Sequence, residues 1–232
     1  MKRNQSGFTL IEIAIVLVII GLLLGGVLKG QELINSAKVK NLAGDFKNIP
    51  VFIYGYQDKF KALPGDQTQT KLDDQFPPAG TAAIATAAGT ALGNGVINGK
   101  WNDPAGTPSE AVMFWQHVRL AGLAPGPTNL ADANYIPSNA AGGKIGIQSG
   151  STTAPPMNDA AGNPIRGSYV ICSDGILGKF VKQLDSTLDD SNYGTGSVLA
   201  MKTYVFGGNA DNQTTNNPAF DEAATYTVCM GV

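Results

Sequence analysis

Two cysteines, Cys172 and Cys229, and a single histidine, His117, are all that 232 residues contain of these types. Two thiols are too few for a structural zinc site. His117 has no nucleophile or second ligand at a recognisable spacing, so packing or the surface is its expected place rather than chemistry. No Walker-type phosphate loop and no metal-ligand set appear. Charged residues make up only 15% of the chain, and the formal net charge is -2, which argues against broad nucleic-acid binding. These scarcities leave no catalytic arrangement, so no enzyme activity is expected.

What the chain has in quantity is apolar sequence, 43% of its residues. From Phe8 to Leu28 every residue is apolar or glycine apart from Thr9 and Glu12. As a helix this stretch is roughly 30 Å long, the thickness of one bilayer core. It is apolar all round, so it belongs in lipid or at the centre of a bundle of its own kind. Glu12 is its one charge. A carboxylate in a membrane span costs on the order of 3 kcal/mol at the centre and less near an end, and calls for a cation. A cut between Gly7 and Phe8 creates one: the new amino terminus lies about one helical turn from Glu12, or beside it in an axially offset neighbour.

The residues Lys2-Arg3-Asn4-Gln5-Ser6-Gly7 followed by Phe8-Thr9-Leu10-Ile11-Glu12 resemble the leader and processing site of type IV pilins and the related pseudopilins of type II secretion. A secretory signal peptide fits worse, because its small-residue cleavage site follows the apolar region. The resemblance implies that a prepilin peptidase at the inner membrane cuts after Gly7 and methylates Phe8, and that Glu12 guides docking into a growing filament. Lys2 and Arg3 precede the span while Lys29, Lys38 and Lys40 follow it, so charge alone leaves the orientation open. By resemblance the leader is cytoplasmic. The chain then crosses the bacterial inner membrane once with a periplasmic head, and after assembly lies in an extracellular pilus or a periplasmic pseudopilus. The implied partners are further copies in a helical filament, other pilins or pseudopilins, the peptidase, the inner-membrane assembly platform, and lipid before assembly. The implied fold is α+β, a long N-terminal helix packed on a small antiparallel sheet.

This reading divides the chain into a leader (1–7), a transmembrane or filament-core helix (8–30), its amphipathic continuation (31–63) and a globular head (64–232). In the continuation Ile34, Ala37, Leu42, Phe46, Ile49 and Ile53 form an apolar stripe, and Pro50 is expected to bend the helix. Gly21, Gly25, Gly26 and Gly30 either favour local unwinding, at about 1 kcal/mol per glycine relative to alanine, or allow close helix packing. Ala62-Leu63-Pro64-Gly65-Asp66 is a stop. Together with Tyr54 to Phe60 it resembles a widespread subgroup of pilin-like proteins. That resemblance continues at Glu110, Phe114-Trp115-Gln116-His117, Leu120 to Leu123, Leu184-Asp185 and Leu188-Asp189-Asp190.

Pro77 to Gly95 is a low-complexity stretch rich in alanine, threonine and glycine, expected as an exposed loop or weak strand. A second helix is predicted with Thr107 as cap, Pro108 at its first position and Glu110 completing a capping box, running to Gly122. Strands are predicted at Lys144–Gln148, Ser168–Cys172, Val198–Phe206 and Thr225–Cys229. Ile176, Leu177, Phe180, Val181 and Leu184 suggest a short third helix capped by Asp174. Cys172 and Cys229 form either one disulfide, natural in an oxidising compartment, or two buried thiols. Asp185, Asp189, Asp190 and Asn192 are candidate oxygen ligands for calcium. Their spacing matches no EF-hand, and acidic turns before glycine are common without metal, so no cofactor is assigned.

The sequence thus points to a structural subunit of a type IV pilus or pilus-like filament. A type II secretion pseudopilin has the same architecture. A reading of another class is a minor pilin acting as a tip adhesin or DNA-binding module. Its nearest basic and aromatic strip is Tyr54 to Lys61, on the helix expected to be packed.

Overall fold

A computed structural model describes residues 9–76, 91–202 and 220–232. The chain divides into two units, Met1–Lys38 and Val39–Val232. The elements are α1 (Leu10–Phe60), α2 (Gln69–Gln75), α3 (Glu110–Leu120), β1 (Ile145–Ser149), β2 (Tyr169–Leu177), α4 (Gly178–Leu188), β3 (Val198–Lys202) and β4 (Thr225–Gly231). The fold is α+β.

In the first unit α1 is helical through all four glycines, and a Cβ built at Gly21, Gly25, Gly26 or Gly30 meets nothing within 4 Å. Its apolar side chains are exposed, Leu10 at 88% and Leu22 at 73%. By length and composition this is a helix able to cross a membrane.

In the second unit the same helix buries one stripe, Val39, Leu42, Ala43, Phe46, Ile49, Ile53 and Tyr56, at the three- and four-residue spacing of a helix face. Ile34 stays 60% exposed and Ala37 is exposed too, so the buried stripe starts at Val39, later than predicted. The helix continues through Pro50. The stripe joins one core with Phe114 and Val118 of α3, Val181 and Leu184 of α4, and Ile147, Ile171 and Val228 of the sheet.

The sheet is antiparallel throughout, in the order β1-β2-β4-β3. Val170 and Cys172 of β2, flanking Ile171, belong to a second cluster with Trp101, Met157, Ile165, Leu199, Met201 and Cys229. Both faces are therefore covered, and Val170-Ile171-Cys172 is a continuous buried run instead of an alternating one. Cys172 and Cys229 are paired across β2 and β4 and joined by a disulfide.

Several local expectations are corrected. Helix α3 is capped by Ser109, whose side chain accepts from Val112 N, and not by Thr107. Glu110 closes no capping box: its buried carboxylate accepts from Asn98 N at 2.7 Å and Asn98 Nδ2 at 3.0 Å, tying down the loop ahead of the helix. Ile176 and Leu177 complete β2 opposite Tyr226 and Thr225. Asp174 lies within that strand and accepts from Lys144 N, so it caps nothing. The first amides of α4 are met instead by chain carbonyls, Gly178 N by Ala224 O at 2.9 Å and Lys179 N by Glu222 O at 3.1 Å. Helix α2, which buries only Leu72, was not predicted. Strand β3 is described to Lys202; positions 203–206 of its predicted extent lie outside the described residues, as do 77–90 of the low-complexity loop.

Candidate functional site

The N-terminal end of α1 is built by two side chains. Thr9 donates to Glu12 Oε2 twice, from its backbone N–H at 2.8 Å and its hydroxyl at 2.7 Å, and Glu12 N donates back to Thr9 Oγ1 at 3.3 Å. This is a reciprocal capping box. It satisfies donors that begin a helix without partners and puts a carboxylate at the positive end of the helix dipole. Around it Ile13, Ile15, Val16 and Leu17 offer only apolar surface. Among the described residues of these first turns, Glu12 is the one charged side chain, an exposed carboxylate in an apolar setting that can receive a cation or an amine. Gly7 and Phe8, the predicted processing site, lie outside the described residues.

The other predicted positions are in the second unit. Asp185, Asp189 and Asp190 are brought together where α4 ends, with one oxygen of each within 4.8 Å of the others. Asn192 turns its side-chain oxygen to Gly194 N at 3.3 Å, so it serves its own turn.

The Tyr54 to Lys61 strip is not a continuous basic surface. Tyr56 is buried with its hydroxyl donating to Gln67 Oε1, Lys59 reaches Ala121 O at 3.3 Å, and Lys61 pairs with Asp58 at 3.2 Å.

His117 is fully buried, and its Nδ1 accepts from Gly65 N at 2.8 Å. With it the Leu63-Pro64-Gly65-Asp66 turn becomes a joint. Gly65 has φ of 95°, and a Cβ there would stand 2.4 Å from Glu110 O. The Asp66 carboxylate receives the N–H groups of Gly93, Asn94 and Gly95, holding the chain where it returns from the low-complexity loop. Sequence reasoning identified the turn as a stop but not as an anchor for α3. The signal available was a lone histidine on an apolar helix, which says that a partner is needed without saying which.

The family model for the prokaryotic N-terminal methylation motif matches residues 2–28. A search of curated proteins and a search of solved structures each gave no match. The matched stretch runs through the capping box and the exposed apolar part of α1.

Proposed function

From this methylation motif, which is the signature of type IV pilins and pseudopilins, we propose that the chain is a structural subunit of a type IV pilus or pilus-like filament. It is held first in the bacterial inner membrane and polymerises through its N-terminal helix. Residues 1–7 are the leader that a prepilin peptidase removes, Phe8 becomes the methylated terminus, and 8–30 moves from lipid into the core of the filament.

The observation that carries this reading is the coincidence of the motif with a helix whose apolar side chains are exposed on every face. Burying even 1,000 Å² of that surface per subunit is worth on the order of 25 kcal/mol before the cost of association, far above any single ion pair. Cohesion therefore comes from apolar packing. Glu12 governs register and efficiency: in the membrane its carboxylate is spent on Thr9, and on docking it is offered to the amine of a neighbouring subunit. Glu12→Ala is expected to leave a stable membrane protein whose filament yield falls at least about tenfold. Filament yield is read by shearing and immunoblotting against total cell protein, and a normal yield from this variant contradicts the mechanism.

A further inference from the structure

Asp45 lies in the part of α1 that packs in the second unit, between Leu42 and Ile49 of the buried stripe. It is only partly exposed, yet among the described residues no hydrogen bond or ion pair reaches its carboxylate. Burial alone pushes its carboxyl above the ordinary value, and no neighbouring charge opposes the shift. Lys144, whose Nζ donates to Ser138 Oγ at 3.1 Å and to Ile136 O at 3.3 Å, forms no ion pair with it. A partly desolvated carboxylate without a cation is a cost to the fold, and a ligand that supplies one removes that cost.

The carboxylate lines a cleft of about 230 Å³. Phe52 of α1, Trp115 of α3, Pro125 after α3 and Pro137 ahead of β1 give it apolar walls, and Asn48 and Ser138 are its other polar lining groups. Prolines and aromatic rings have few rotamers to lose when a ligand enters. The Arg119 guanidinium already stands over the Trp115 ring, 5.7 Å from its centroid, so that ring supplies a wall and not the acceptor for a second cation. Asp45 is the one charge in the lining.

We propose that this cleft binds a small organic cation, a protonated amine on a short apolar stem, with the ammonium on Asp45 and the stem against Phe52 and the two prolines. The sign of the single charge selects a cation, and a charge-assisted hydrogen bond to a partly desolvated carboxylate is stronger than one in water. One carboxylate among apolar walls is too few oxygens for a metal ion, which takes about six to eight. The volume lies below the roughly 300–1,000 Å³ of sites for drug-sized ligands, so the stem is short, about four carbons. All of these residues belong to the second unit, and the site stands or falls separately from the filament reading.

The test uses the full chain in nonionic detergent micelles at pH 7, titrated with n-butylamine and followed by saturation-transfer NMR on the ligand methyl group and by tryptophan fluorescence, since Trp115 lines the cleft. Saturable binding at about 1 mM or tighter is expected for a ligand of this size. Butan-1-ol, which keeps the stem and lacks the charge, should bind at least about tenfold more weakly, and so should ammonium chloride, which keeps the charge and lacks the stem. Asp45→Asn removes the charge at constant shape and, in the same micelles, corrects for partition into detergent. It should weaken butylamine at least about tenfold while leaving the ligand-free unfolding temperature at or above that of the unaltered chain. No saturable butylamine binding up to about 10 mM, equal affinity for butan-1-ol, or unchanged affinity in Asp45→Asn overturns the proposal. If butylamine fails to bind while Asp45→Asn lowers filament yield, the carboxylate serves a basic side chain of another copy, and the small-ligand assignment is overturned.

Discussion

Gly65 is a residue whose identity two neighbours dictate. Its positive φ admits other residues at a cost, but the Glu110 carbonyl standing where its Cβ would be admits none without movement of backbone. Gly122 separates the two effects, since it also has positive φ, 76°, yet a Cβ there meets nothing within 4 Å. Gly122→Ala should therefore cost about 1 kcal/mol, the left-handed strain alone. Gly65→Ala should cost about 3 kcal/mol or more, because strain and a backbone clash add and the amide held by His117 is displaced. Denaturant unfolding of the two variants measures the difference, and equal losses contradict the account of this turn. At this scale the sequence was legible where the partner is local and opaque where it is distant. The Thr9 and Glu12 pair has the spacing of a capping box, although from sequence Glu12 was given only a cation as its partner. The bonds of Gly65 to His117 and of Asp66 to Gly93–Gly95 join residues far apart in the chain, and no local pattern announces them.

At the scale of elements, the apolar stripe of α1 was readable from Leu42 to Ile53 because period alone reveals a buried face. Where burial begins was not readable: Ile34 continues the pattern but lies exposed, ahead of the stretch that enters the core. The caps of α3 and α4 were misplaced for a related reason. Asp174 has the chemistry of a cap, yet the strand continues through it, and chain carbonyls at Glu222 and Ala224 meet the first amides of α4. The sheet's two central strands are joined by the disulfide, which closes a loop over a sequence separation of 57 residues. By the loop-entropy estimate it contributes about 4 kcal/mol, mostly by restricting the unfolded chain. Replacing both Cys172 and Cys229 by serine should lower stability by at least that amount, since two hydroxyls then occupy fully buried positions. Comparing denaturant midpoints of the variant and of the unaltered chain, oxidised and reduced, tests this. Identical midpoints for oxidised and reduced protein would mean that the bond constrains nothing.

For the whole molecule, the parts divide by what they expose. The second unit covers both faces of its sheet, whereas the first presents exposed apolar side chains among the described residues. An apolar helix surface of this kind is what lipid or further copies of the same helix would cover in the proposed filament subunit. The apolar helix was the most legible property of the sequence, because it rests on one uninterrupted stretch and the motif at its start. The most direct test is mass spectrometry of filaments sheared from the cell surface, searching for the N-terminal peptide. The account predicts an abundant peptide that begins at Phe8 and carries an N-methyl group. A chain that still begins at Met1 in assembled material would contradict it.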